Sequence, residues 1–208
     1  MLSKKQYILI ITLAVLLGIL TAIWQIPFWM TAIMIFLSVT LIVYIPFVWY
    51  IYFSSDIESI GKYLQERARQ PILHFYYSLA NSDDVEMDKA LLILQKKYKS
   101  PQLAAVFTAA HAAHQDTLAD ARESILLIKD LSVRHYYEAL LKIEEGKLED
   151  AGDMIHSLQK EWMKETVKAE LHLKKGQVDA AKTHVEKAIE LTKGMQKYLL
   201  VKRYRSRA

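Results

Sequence analysis

Apolar positions are distributed along this chain in two different ways. From Gln6 to Ser55 there is no charged residue and no histidine, whereas from Asp56 onward apolar positions recur at helical spacing among charged ones. The first pattern predicts a lipid-facing block and the second a water-facing helical body. A hydrocarbon core about 30 Å thick needs roughly 20 apolar residues of helix. The stretches of about 7–24 and 28–53 approach or exceed that length, and Gln25-Ile26-Pro27 between them supplies a polar residue and a helix breaker. Residues 1–55 therefore read as a membrane anchor with two transmembrane helices joined by a tight turn. A cleavable signal peptide would be followed by polar sequence, and here the next segment is apolar again. Trp24, Phe28 and Trp29 cluster at the turn and Trp49, Tyr50 and Tyr52 at the far end, where amphipathic rings favour the headgroup zone. Ala14, Gly18 and Ala22 form a stripe of small residues suited to a seam with the second span, in which Pro46 predicts a kink. Neither span carries an ionisable residue, which argues against an ion path and hence against a transporter. Lys4 and Lys5 precede the first span, Lys62, Arg67 and Arg69 follow the second, and the turn has no base. Both termini are expected in the cytoplasm. The short N-terminus, compact anchor and absence of cysteine suggest a bacterial cell membrane.

The body opens on Ser55-Asp56-Ile57-Glu58, a capping-box pattern with Ser55 as the cap, followed by Ile57, Ile60, Leu64 and Ala68 on one face. Residues 56–71 read as a juxtamembrane helix or linker ended by Pro71. Residues 72–208 show few strand signals and predict an all-helical domain. Ala139, Gly146, Leu148, Asp150 and Ala151 recur 30 residues on as Ala169, Gly176, Val178, Ala180 and Ala181, and 30 residues back as Ala109, Asp116, Leu118, Asp120 and Ala121. At an offset of 31 a weaker copy follows, with Met87 and Ala90 standing for Leu118 and Ala121. Each copy reads as helix, polar turn, helix, with small residues where paired helices must approach closely, and periods of this size indicate stacked helical hairpins.

The segment 174–191, with Gly176 between its helices, Ala181 in the second helix and Ala188 before an apolar pair, resembles a tetratricopeptide (TPR) repeat. The resemblance extends over about 72–205, with Gly146 and Ala151 kept in the preceding copy; the spacing of about 30 is shorter than the family's 34, and no proline closes each unit. It implies an all-α TPR-like α-solenoid behind the two-helix transmembrane hairpin, and a groove lined by first helices. Tyr136, Leu140, Glu144, Thr166, Glu170 and Lys174 are the groove positions it implies for contact with a protein or peptide partner.

Charge and chemistry refine this picture. The net charge is +4, from 27 Lys and Arg against 23 Asp and Glu, too small to point to nucleic acid as the general partner. Five bases and no acid fall at the end, at Lys197, Lys202, Arg203, Arg205 and Arg207. They offer an alternative function, contact of a basic tail with an anionic membrane surface or nucleic acid, against the plainer reading of a cationic capping helix. With no cysteine, thiol chemistry and disulfides are excluded. No glycine-rich phosphate loop, nucleophile elbow or His-Glu-x-x-His helix occurs. His111, His114 and Asp116 are close enough in sequence to share a helix turn, but no spacing fixes a further ligand, and they read as polar positions of a degenerate repeat. Trp162, Tyr136 and Tyr137 read as packing aromatics. The sequence thus predicts a scaffold that recruits a protein to the cytoplasmic face of the membrane, without catalysis, metal or cofactor.

Overall fold

A computed structural model describes residues 4–205. Arg207 lies outside this range, and the side chains of Lys4 and Lys5 lie outside the described set as well. All regular structure among the described residues is helical.

Helix α1 (Lys4–Ile23) turns at Gln25, which has φ +51°, and the Ile26 amide donates to the Thr21 carbonyl at 2.9 Å before Pro27 caps α2 (Phe28–Val48). The two helices pack against each other. Pro46, the position of the predicted kink, lies inside α2, and a π-helical segment, Trp49–Phe53, continues the helix. Phe28–Phe53 is long and apolar enough to cross a membrane, and no residue of α2 is buried. The apolar part of α1, Tyr7–Ile23, is shorter. The expected small-residue seam is corrected at two positions: no heavy atom lies within 4 Å of a Cβ built on Gly18, and Ala22 is exposed.

The N-cap of α3 (Ile57–Glu66) is Asp56, one residue beyond the predicted Ser55. Its carboxylate accepts from the Glu58 and Ser59 amides at 3.0 and 3.2 Å and from the Ser59 hydroxyl at 2.6 Å, three donors where a serine cap would satisfy one. These bonds hold its pKa below the ordinary value, with the Ser59 hydroxyl contributing most. Pro71 opens α4 (Pro71–Ala80), where its missing N–H costs nothing.

Eight helices follow as four antiparallel hairpins with a common turn. They are α4 with α5 (Asp84–Lys97), α6 (Pro101–His114) with α7 (Arg122–Leu126), α8 (Leu131–Glu144) with α9 (Leu148–Met154), and α10 (Glu161–Lys174) with α11 (Val178–Glu190). Ser82, Asp116, Gly146 and Gly176 stand at equivalent turn positions with φ of 52, 55, 78 and 73°. The residue after each donates five positions back, Asp83 to Ser78, Thr117 to Ala112, Lys147 to Lys142 and Gln177 to His172, at 3.1, 2.9, 2.9 and 2.8 Å. This is the left-handed helix stop in which the C″ amide satisfies a free carbonyl. The 30-residue sequence period, which separates Asp116, Gly146 and Gly176, is thus a repeated way of ending a helix; Ser82 stands 34 residues before Asp116, so Met87 corresponds to Ala121 and not to Leu118.

The alanines singled out by the period sit at the helix crossings: Ala109, Ala139, Ala169 and Ala151 are fully buried, and Ala121 and Ala181 nearly so. The main core joins α6 to α10 through Leu118, Ile125, Ile128, Leu141, Leu158 and Val167. A second cluster, with Ile51, Ile60, Leu64, Leu73 and Tyr198, fuses the end of the membrane-type helix to the body. Tyr198 belongs to the last helix, α12 (Gly194–Arg205), which packs on α11, then on α3, α4 and the π-helical segment. The final helix therefore returns to the first helices of the body.

Candidate functional site

The first helices of the hairpins, α4, α6, α8 and α10, present Leu79, Ala110, Ala113, Tyr136, Tyr137, Leu140 and Trp162 to a common groove, and α12 lies along it with Gln196, Leu199, Leu200 and Arg203. A cavity of about 140 Å³ remains between them. Tyr136 stacks obliquely on Trp162 with centroids 5.5 Å apart and meets Tyr137 edge-on at 5.4 Å, so these aromatics are packing groups. Burial pushes the Tyr136 hydroxyl up to about 12 and the Tyr137 hydroxyl higher still.

Two sets of residues that the sequence separates are brought together here. The Tyr204 hydroxyl donates to Glu170 at 2.8 Å, and the Arg203 guanidinium pairs with the same carboxylate oxygen at 2.9 Å. Glu170 is expected from the resemblance to face a foreign partner, and Arg203 to belong either to a lipid- or nucleic-acid-contacting tail or to a cationic capping helix; they meet each other. Burial opposes the Arg203 charge, but Glu170 and then the neighbouring tyrosines and Asp116 outweigh it and raise its pKa. At the α4 side of the groove Lys202 donates to the Asn81 Oδ1 at 3.0 Å, and Asn81 Nδ2 donates to the Tyr198 hydroxyl at 3.0 Å.

Of the six implied groove contacts, Tyr136, Leu140, Thr166 and Glu170 are buried in the folded chain. Thr166 donates to the Trp162 carbonyl at 2.8 Å. Glu144 is half-buried and accepts from the Leu118 and Ala119 amides at 2.9 and 3.3 Å, capping the short helical turn of the preceding hairpin. Lys174 alone among the six is exposed. Of the tail bases, Lys197, Lys202 and Arg203 are half-buried and Arg205 is exposed. What stays open is the mouth of the groove at the C-terminal ends of α6, α8 and α10. This cavity of about 400 Å³ is lined by Asp116, Glu144, Glu170, Lys174 and Arg203 beside Leu118, Leu140, Ile143 and Leu173. It offers both signs of charge over an apolar floor.

The histidines have separate duties. His111 and His114 face different acids of α5, Asp88 at 2.6 Å and Asp84 at 3.7 Å, and His74 faces Glu86 at 3.4 Å. No group of three or more His, Asp or Glu residues suited to a metal ion occurs among the described residues.

A charged cluster that the sequence did not reveal joins α10 to α11. Glu165, almost fully buried, accepts from His184 at 2.7 Å, Lys168 at 3.0 Å and Lys187 at 3.1 Å, and the His184 ring stacks on His172. Burial alone would raise the Glu165 pKa, but the bonds from His184, Lys168 and Lys187 lower it more, to about 2 from an ordinary 4.5. A carboxyl depressed on folding contributes stability in full above its unfolded value, and that contribution disappears as pH falls through the folded one. Glu165→Gln is accordingly expected to unfold at lower urea than the parent at neutral pH, by about 3 kcal/mol. The gap should close between about pH 4.5 and 2. A gap independent of pH in that window would show that Glu165 acts only by packing.

Comparison with protein-family models, with curated proteins and with solved structures finds no match to this chain.

Proposed function

We propose that this chain is a membrane-anchored interaction module that holds a protein partner at the cytoplasmic face of a membrane. In this reading α1 and α2 form a two-span hairpin, the four hairpins form a TPR-like α-solenoid, and the module acts by tethering rather than by catalysis. Phe28–Phe53, apolar and with no buried residue from Phe28 to Val48, supports the anchor. The absence of charge in the inter-helix turn, with Lys62, Arg67 and Arg69 after the second span, supports a cytoplasmic body.

The observation that carries the reading is the open mouth of the groove. Since α12 already lies in the groove itself, the partner is assigned to the mouth, where Lys174 is exposed beside Glu144, Asp116 and an apolar floor. A segment carrying a carboxylate next to an apolar side chain fits that lining, and the anchor raises the local concentration of both partners. The basic tail is not assigned a separate ligand, because Lys202 and Arg203 hold α12 in place through Asn81 and Glu170.

Crosslinking in cells followed by mass spectrometry tests the assignment. Lys174→Glu is expected to lose the partner adducts of the parent while the protein remains folded, and Lys182→Glu, exposed on α11 outside the cavity, is expected to keep them. An adduct pattern unchanged in Lys174→Glu would reject the mouth as the partner site.

A further inference from the structure

The four hairpins are stacked with their first helices pointing the same way, so the connections fall on two opposite edges, ~21 Å apart for helices of 14 residues such as α6, α8 and α10. One edge carries the left-handed turns within the hairpins. The other carries the connections between hairpins and the one into α12. Charge divides between these edges. The connections at 96–101, 126–131, 156–161 and 190–195 hold six lysines and three acids, whereas the turns at 81–86, 115–120, 145–150 and 175–180 hold nine acids and two lysines. Lys96, Lys97, Lys99, Lys129, Lys160 and Lys193 are all exposed, and none of them enters an ion pair among the described residues. Two of the three acids beside them are already engaged: Asp130 caps α8, and Glu161 pairs with Lys164 at 2.6 Å. Leu126, Leu127, Leu131 and Leu191 stand among these lysines and are 48 to 60% exposed.

The lysine edge is also the one joined to the membrane-type helix. The Gly194 amide donates to the Ser54 carbonyl at 2.6 Å, which sets the connection at 191–193 against the end of the second span. At the opposite end of the stack, α3 runs back along that span: Tyr63 stacks on Tyr50, and Gln70, later in α3, lines a cleft with Val39 and Val43, earlier in α2. Pro71 therefore starts α4 on the membrane side, and the first helices run away from it. A face that combines lysines with exposed leucines suits an anionic leaflet, which attracts the bases and admits the apolar side chains between its headgroups.

We infer that the inter-hairpin edge rests on the anionic headgroups of the leaflet from which the second span emerges, with its lysines beside the phosphates and its leucines in the interfacial zone. The inference rests on the anchor reading above. Lys62, Glu66 and Arg69, exposed on α3, stay in the same headgroup layer. The acidic edge, repelled by the leaflet, holds the open mouth of the groove away from the membrane, where a partner reaches it. Lysines alone would also attract nucleic acid; attachment of this edge to the span favours lipid.

The chain has no cysteine, so one spin label reports one position. Full-length Leu127→Cys and Glu149→Cys, each labelled, are reconstituted in vesicles of phosphatidylcholine alone and of equal parts phosphatidylglycerol and phosphatidylcholine. The label at 127 is expected to lose access to a water-soluble relaxation agent in the anionic vesicles and much less in phosphatidylcholine; the label at 149, on the acidic edge, is expected to stay water-exposed in both. The same aqueous access at 127 in both lipids, or stronger protection at 149 than at 127, would overturn the inference. Adding Lys99→Glu with Lys129→Glu is expected to lower the docked-to-undocked ratio at 127 by about 25-fold, at about fivefold for each lysine near an anionic surface. Lys175→Glu with Lys182→Glu changes the net charge equally at exposed positions away from this edge and is expected to leave the ratio unchanged. Equal loss in the two pairs would show a response to net charge alone and reject the edge. Protection at 127 by added RNA but not by anionic lipid would assign the edge to nucleic acid and overturn the lipid reading. Release of the chain from vesicles by alkaline carbonate would sink the anchor reading itself, whereas firm insertion with 127 water-exposed in both lipids would sink only this inference.

Discussion

Gly194→Ala is expected to destabilise the protein by ~2–5 kcal/mol, made up of the ~1–2 kcal/mol cost of a left-handed backbone and the ~1–3 kcal/mol cost of overpacking. Gly194 has φ +60°, and a Cβ built on it would lie 2.1 Å from the Ile51 carbonyl oxygen and 2.7 Å from the Tyr52 nitrogen. Both contacts are to backbone, so no side-chain rotation can relieve them. The same residue donates its amide to the Ser54 carbonyl at 2.6 Å, which pins the start of α12 to the end of the π-helical segment. The methyl group must therefore separate the last helix from the membrane-type helix or distort both. Urea unfolding of the full chain in detergent measures the loss, and proteolysis within 194–205 should accelerate in parallel. Gly152→Ala is the control: it lies in α9 with no atom within 4 Å of its Cβ, and should be neutral or slightly stabilising. Equal unfolding midpoints for Gly194→Ala and the parent would show that α12 does not rest against Ile51 and Ser54.

How much of this was legible beforehand follows from the range of each interaction. The repeat was legible because helix stops and helix crossings leave local marks. A left-handed stop favours glycine, seen at 146 and 176, and a close crossing favours alanine, seen at 109, 139, 151, 169 and 181. The mark fades where Ser82 and Asp116 take the left-handed conformation themselves, which explains why the earlier copies looked degenerate. The apolar block was legible by length, although Phe28–Phe53 alone is long enough by the structure's own helix limits.

The position of α12 left no local mark. Its contacts reach back to Gly61, Asn81 and Glu170, and none recurs at a helical or repeat period. Gly61 illustrates the point: a Cβ there would lie 3.1 Å from the Tyr198 ring, a reason for glycine that is visible only once two residues far apart in sequence are placed together. Five bases in the last dozen residues leave a capping helix and a ligand-contacting tail both open, because charge composition carries no information about a buried carboxylate elsewhere. Of the implied groove positions, Tyr136 and Leu140 line the groove that the chain's own last helix occupies, Glu170 lines its mouth, and Thr166 is buried away from both cavities.

Glu170→Ala is expected to cost about 3 kcal/mol, because it removes the carboxylate facing a largely buried guanidinium and the acceptor of the Tyr204 hydroxyl together. Tyr204→Phe removes only the neutral donor and should cost about 1 kcal/mol. The pair can be separated from its surroundings by adding Arg203→Met to Glu170→Ala. Removing both charges is expected to recover part of the loss, since breaking a buried pair is more costly than omitting it, the remainder being the space that Ala leaves and the Tyr204 hydroxyl without its acceptor. Urea unfolding of the two single variants and the double variant gives the coupling, and amide exchange in 194–205 localises it to α12. Parent-like stability for Glu170→Ala would mean that the carboxylate contributes nothing to seating the helix. The same experiment bears on any partner assay at this groove, because a Glu170 variant that loses a partner while α12 exchanges freely has lost the fold of the groove. Only Lys174, at the open mouth and free of that seating role, separates binding from folding.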